Sequence, residues 1–151
     1  MLAGTSTIHA SAVLVGRKAA LIRGPAGAGK SRLALALIEA AATGALPFAR
    51  LVADDRVFLE ACSGRLLARF VTELAGLLEV RGLGIRRLPY DAIAAIGLVV
   101  DLAANEAARL PGPGGQHTTL AGVQLPLIGV PKGVDPLPLI LAYRHTVNSG
   151  I

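Results

Sequence analysis

Lys30 and Ser31 close the run Gly24-Pro-Ala-Gly-Ala-Gly-Lys-Ser31, which fits the spacing G-x-x-x-x-G-K-[ST]. That spacing builds a phosphate cradle. Glycines let backbone N–H groups turn inward on phosphate oxygens, the lysine reaches the β- and γ-phosphates, and the hydroxyl is a Mg²⁺ ligand. The cradle residues are Gly24, Pro25, Ala26, Gly27, Ala28, Gly29, Lys30 and Ser31. Further along, Asp54 and Asp55 follow the apolar residues Leu51-Val-Ala53. Adjacent acids at a strand end suit phosphoryl transfer: one holds the metal or its water shell, and the other accepts a proton from an attacking hydroxyl. Upstream, His9 alternates with Ala10 and Ala12, and by spacing alone it reads as an ordinary polar strand position.

These groups need elements to hold them. Residues 19–23 read as a buried strand and residues 32–42, rich in Ala and Leu, as a helix. Strand, glycine loop and helix N-terminus together form an anion site, because unpaired N–H groups and the helix dipole converge there. This context weighs against a mere glycine-rich turn. Residues 7–15 and 18–23 make a hairpin about Gly16-Arg17. Residues 50–55 read as a strand ending in the acid pair, and residues 56–60 and 65–70 as a second hairpin around Cys62-Ser63-Gly64. Residues 71–78 fit helix or strand equally. In residues 79–85 two glycines suggest a loop whose backbone approaches a ligand or partner. Residues 96–102 are a buried strand and 105–115 a Pro/Gly-rich loop carrying Arg109. Residues 118–125 read as an exposed strand, 127–136 as irregular, and 137–146 as a closing helix.

Composition bounds the rest. A chain of 151 residues with 53% hydrophobic and 17% charged residues is one domain, spanning 1–151, with a real core. The net charge of +5 suits an anionic partner, but aromatics at 3% leave no stacking platform for nucleic acid. Cys62 is the single cysteine, so no internal disulfide forms, and a lone thiol in a turn reads as incidental. No signal peptide and no apolar run of membrane-spanning length is present, so the expected setting is cytoplasmic, with no membrane partner.

Taken together, the histidine hairpin before the loop, the Leu51-Val-Ala-Asp-Asp55 run and Leu78-Glu-Val-Arg-Gly-Leu-Gly-Ile85 resemble the catalytic domain of HPr kinase/phosphorylase. The last segment is similar to that family's own L-E-I-R-G-L-G-I signature. The resemblance implies an α/β, P-loop-containing HPr kinase/phosphorylase-like (PEP carboxykinase-like) fold, with mixed β-sheets around one P-loop helix. It implies ATP and Mg²⁺, a serine of HPr or a nitrogen-system homologue as acceptor, and a homo-hexamer. Under it His9 is the active-site histidine, Lys30 the loop lysine, Ser31 a Mg²⁺ ligand and Glu79 a residue tied to Mg²⁺. Asp54 and Asp55 are the acidic pair, with Asp55 favoured as base, and Arg109 is a catalytic arginine. The chain looks like the short, single-domain alphaproteobacterial form. Only Pro131, Lys132 and Gly133 echo the family's basic loop linked to dephosphorylation, which leaves the reverse reaction open.

Two rivals remain at this level. One is a P-loop NTPase or small-molecule kinase. The other is a non-catalytic ATP-sensing regulatory module, which would have no need of the Asp54-Asp55 pair beside a γ-phosphate.

Overall fold

The computed structural model describes residues 6–104 and 116–146; Arg109 and the remainder of 105–115 lie outside the described residues. The chain opens with β1 (Thr7–Ile8), β2 (Ser11–Val15) and β3 (Lys18–Arg23). β2 and β3 form the expected hairpin, with Val15 opposite Lys18 and Ser11 opposite Ile22. Helix α1 (Lys30–Ala42) follows the glycine loop, and β4 (Ala49–Ala53) returns antiparallel beside β2. The register Ala12↔Ala53 brings the start of β2, the end of β3 and the end of β4 to one edge of the sheet. This convergence positions the site.

β5 (Val57–Cys62) and β6 (Arg65–Arg69) form the second hairpin. A 3₁₀ turn at Thr72–Leu74 leads into β7 (Leu77–Val80) and β8 (Gly84–Arg87), then β9 (Ile93–Ala104). After 105–115 come β10 (Gln116–Leu120), β11 (Val123–Pro131) and α2 (Pro136–His145). Among the described residues nine strands share one sheet, ordered β1-β5-β6-β9-β3-β2-β4, with β11 also on β9 and β10 on β11. The 12-residue β9 is the spine. Its first residues pair antiparallel with β6, and its later ones run parallel to β3 on one side and β11 on the other.

Both faces of this sheet are covered, which explains the nearly continuous apolar runs of β3 and β9. On one face Ile22 and Val100 join a core with Leu33, Leu37 and Ala40 of α1 and Ile140 of α2. On the other, Leu21 and Val99 cluster with Val52, Val57 and Leu66. The buried positions of α1 are Leu33, Ala34, Leu37 and Ala40, the three-and-four spacing of one helix face. Ala34 and Ala40 carry no bulk, so the helix lies close to the strands and holds the loop at its N-terminus against them.

The expected strand over 7–15 is divided. Thr7–Ile8 pair with β5, while Ser11–Val15 pair with β3 and β4. The chain changes partners between them, so His9 sits on an exposed bend and not within a strand. The expected loop at 79–85 is a hairpin, β7–β8, in its own two-stranded sheet. Leu78 anchors it in the α1 core, whereas Leu83 and Ile85 at its far end are 68% and 63% exposed. The segment expected to be irregular after residue 126 is strand as far as Pro131. Its prolines do not break the ladder: Pro126 lies where β11 has only β10 as neighbour, and Pro131 is the last strand residue. The single strand expected at 118–125 is two, turned at Ala121-Gly122.

Candidate active site

The glycine loop joins the end of β3 to α1. Gly24 lies where a Cβ would stand 3.1 Å from Leu102 Cβ and 3.3 Å from the Leu102 carbonyl oxygen of β9, tighter than ordinary packing, so the close approach favours glycine. Gly29 precedes α1 in the left-handed region at φ 101°, and there backbone conformation makes the same demand. The first helical hydrogen bond runs from Leu33 N–H to Gly29 O at 2.9 Å, which leaves the N–H groups of Lys30, Ser31 and Arg32 without helical partners. No side chain caps this end and no acid occupies the first turn. Two cations, Lys30 and Arg32, instead sit at the positive end of the dipole. Such a start weakens a free helix and strengthens an anion site. Lys30 Nζ donates to the carbonyls of Gly24 at 2.7 Å and Pro25 at 3.2 Å, folding the ammonium over the loop.

Asp54, directly after β4, meets α1 across this edge. Ser31 Oγ is 2.8 Å from each Asp54 carboxylate oxygen, and Ser11 Oγ donates to Asp54 Oδ1 at 2.6 Å. Asp54 and Ser11 are buried, and they are the only buried polar residues among those described. Asp55 is held differently. Its φ of 69° is left-handed, and the Arg56 N–H bonds back to the Asp54 carbonyl at 2.8 Å. This is a γ-turn centred on Asp55, a costly conformation of the kind that persists where surrounding structure enforces it. It turns the Asp55 side chain out to 70% exposure, with Oδ1 3.9 Å from Nδ1 of His9, itself 67% exposed.

On the other flank of the loop, Arg23 and Asp101 occupy paired positions of parallel β3 and β9. Arg23 donates to both Asp101 oxygens, at 2.7 and 2.8 Å, a fork that ties the two strand ends together beneath the loop. Beyond them a cleft of about 410 Å³ opens between Pro25–Ala28, Leu102-Ala103 and the 130–134 turn. Pro131, Lys132 and Gly133 line it opposite the phosphate loop, and Lys132 is exposed.

The structure therefore brings together Lys30, Ser31, Asp54, Asp55 and His9 around the loop. Glu79 is exposed on β7, between Leu78 and Val80, which pack against the core under α1, and among the described residues no hydrogen bond joins it directly to Ser31 or Asp54. Among the described residues no three His, Cys, Asp or Glu side chains gather as a metal cage. The donors present nevertheless fit Mg²⁺, which is held by one or two protein oxygens plus substrate phosphates and keeps several waters. Cys62 is exposed at a hairpin end, on β5. No helix among the described residues is long and apolar enough to cross a membrane. Sequence reasoning missed Ser11. Its signal was a hydroxyl two residues after His9, between Ala10 and Ala12 in an apolar strand, and Arg23 with Asp101 was equally silent because the two lie 78 positions apart.

Comparison with known proteins places the chain in a family. Residues 1–131 match the family described as HPr Serine kinase C-terminal domain. The chain is 40% identical over 88 residues to HPr kinase/phosphorylase of Clostridium tetani, covering 58% of this chain and 27% of that protein. It is 40% identical over 84 residues to the Clostridium beijerinckii protein of the same name, covering 56% and 26%. The chain thus spans about a quarter of the length of the curated relatives it matches. The structure of the Hpr(Ser) kinase/phosphatase from Coxiella burnetii superposes with a TM-score of 0.73 at 25% identity, covering 93% of this chain and 95% of that one. With a profile match over most of its length and the fold of a solved member, this chain belongs to the HPr serine kinase C-terminal domain family.

Proposed function

We propose that this chain transfers the γ-phosphoryl group of ATP to a serine hydroxyl of a small phosphocarrier protein, of the HPr type or a nitrogen-system homologue. The observation that carries the reading is the division of labour at residues 54 and 55. One carboxylate is buried against Ser31 at the phosphate loop, and the next faces solvent beside His9.

Under this reading the triphosphate lies on the free N–H groups at the start of α1, and Lys30 exchanges the Gly24 and Pro25 carbonyls for phosphate oxygens. Ser31 and Asp54 would hold Mg²⁺, which would supply neutralisation of phosphate charge. The cleft toward Leu102 and Val130 receives the nucleoside end. Asp55 accepts the proton of the incoming serine hydroxyl as its oxygen bonds to the γ-phosphorus and the bond to the β-phosphate oxygen breaks, releasing ADP. His9 orients Asp55 and the acceptor. By resemblance, Arg109 offsets charge on the transferring group. By the same resemblance, Glu79 is tied to the Mg²⁺ site.

Incubation with γ-labelled ATP, Mg²⁺ and purified bacterial phosphocarriers tests the reading. Label on a carrier serine is the expected result. Release of free phosphate alone would point to an NTPase, and nucleotide binding without turnover to a sensor; either contradicts the proposal.

A further inference from the structure

The buried hydroxyl of Ser11 is not used in the scheme above, and its surroundings indicate a task. Ser11 is wholly buried on β2, flanked by Ala10 and Ala12. A hydroxyl there costs stability unless bonded, and a strand serine has backbone groups within reach as the ordinary solution. Ser11 reaches a side chain 43 residues away instead, donating to Asp54 Oδ1 at 2.6 Å. The same oxygen lies 2.8 Å from Ser31 Oγ, as does Oδ2. With only Ser31 beside it, the Asp54 carboxylate could rotate about its last bond. A second donor, fixed to the rigid β2–β3 hairpin, removes that freedom. We propose that Ser11 is a positioning residue that clamps the Asp54 carboxylate beside Ser31 and so sets the affinity of the loop for a divalent cation. This rests on the cation assignment made above for Ser31 and Asp54.

Outer partners of metal-holding carboxylates change metal affinity about 10–100-fold when removed. Mn²⁺ titrated into the protein with ADP, followed by electron paramagnetic resonance, reads this directly and without turnover. Ser11→Ala should weaken Mn²⁺ binding by that factor, while binding of ADP in the presence of EDTA stays at the wild-type level. Ser11→Cys is near-isosteric but a weak donor. It should fold with a lowered melting temperature, because a hydrogen bond to a buried carboxylate is weakened. The folded protein should bind Mn²⁺ at least several-fold more weakly while binding ADP in EDTA as the wild type does, a split that a packing role would not produce. Wild-type Mn²⁺ affinity in a folded Ser11→Cys protein overturns the assignment of Ser11. Absence of Mn²⁺ binding in the wild type overturns the cation site itself, and the two failures are thereby distinguished.

Discussion

Asp54 and Asp55 are adjacent in sequence, yet the first is buried and the side chain of the second is 70% exposed. The γ-turn at Asp55 produces this, and it separates a carboxylate that receives two serine hydroxyls from one that, among the described residues, receives none. Asp54→Ala should therefore have two effects. Phosphoryl transfer is lost with the cation, and the Ser11 hydroxyl is left buried without its partner. The second effect should lower unfolding free energy by about 1–3 kcal/mol, measured by urea denaturation. Wild-type stability in the variant would contradict the burial argument.

Lys30 is the only cationic side chain of the loop, and its ammonium folds onto the Gly24 and Pro25 carbonyls, within the cradle whose N–H groups face the phosphates. Lys30→Ala should reduce kcat about 10²–10³-fold, because one positioned donor to the transition-state charge is gone. Circular dichroism melting should be little changed, since the side chain is only part-buried.

Gly24 packs so closely against β9 that an added Cβ would stand 3.1 Å from Leu102 Cβ and 3.3 Å from the Leu102 carbonyl oxygen, and these neighbours would have to give by a few tenths of an ångström. Gly24→Ala should destabilise the protein by about 1–3 kcal/mol through overpacking, and weaken nucleotide binding as the loop moves off Leu102. Isothermal titration with ADP together with thermal melting checks both effects. An alanine variant that binds ADP as tightly as wild type would contradict the close-approach account.

The Arg23–Asp101 fork ties the ends of the two parallel strands, with side chains 27% and 31% exposed. A double-mutant cycle with Arg23→Ala and Asp101→Ala should give a coupling of up to about 1 kcal/mol that shrinks in high salt. Salt-independent coupling would mean that packing and not charge holds the ends.

Much of this site could be read from the chain because its parts are local. The loop from Gly24 to Ser31, the strand before it, the helix after it and the Asp54-Asp55 pair each show in a short window. Contacts of long sequence range could not be read that way. Ser11 reaches Asp54 across 43 residues and Arg23 reaches Asp101 across 78, so neither pairing leaves a local pattern. The placement of His9 was lost for a related reason. Its flanks alternate as one strand, but Thr7–Ile8 and Ser11–Val15 belong to different ladders, and the bend between them follows from that tertiary choice. At residues 79–85 the two glycines suggested a loop, whereas Leu78 on the core face and paired Glu79↔Ile85 make a hairpin. Pro126 and Pro131 hid β11, because a proline's cost in a strand depends on which neighbour is present.

The account turns most directly on Asp55. Single-turnover transfer from γ-labelled ATP to a carrier serine, compared between wild type and Asp55→Asn, tests it. The predicted result is transfer by the wild type, loss of about 10²–10⁴-fold in the variant, the range for a general base, and ADP binding retained. Transfer by Asp55→Asn at the wild-type rate would contradict the assignment of Asp55 as the base.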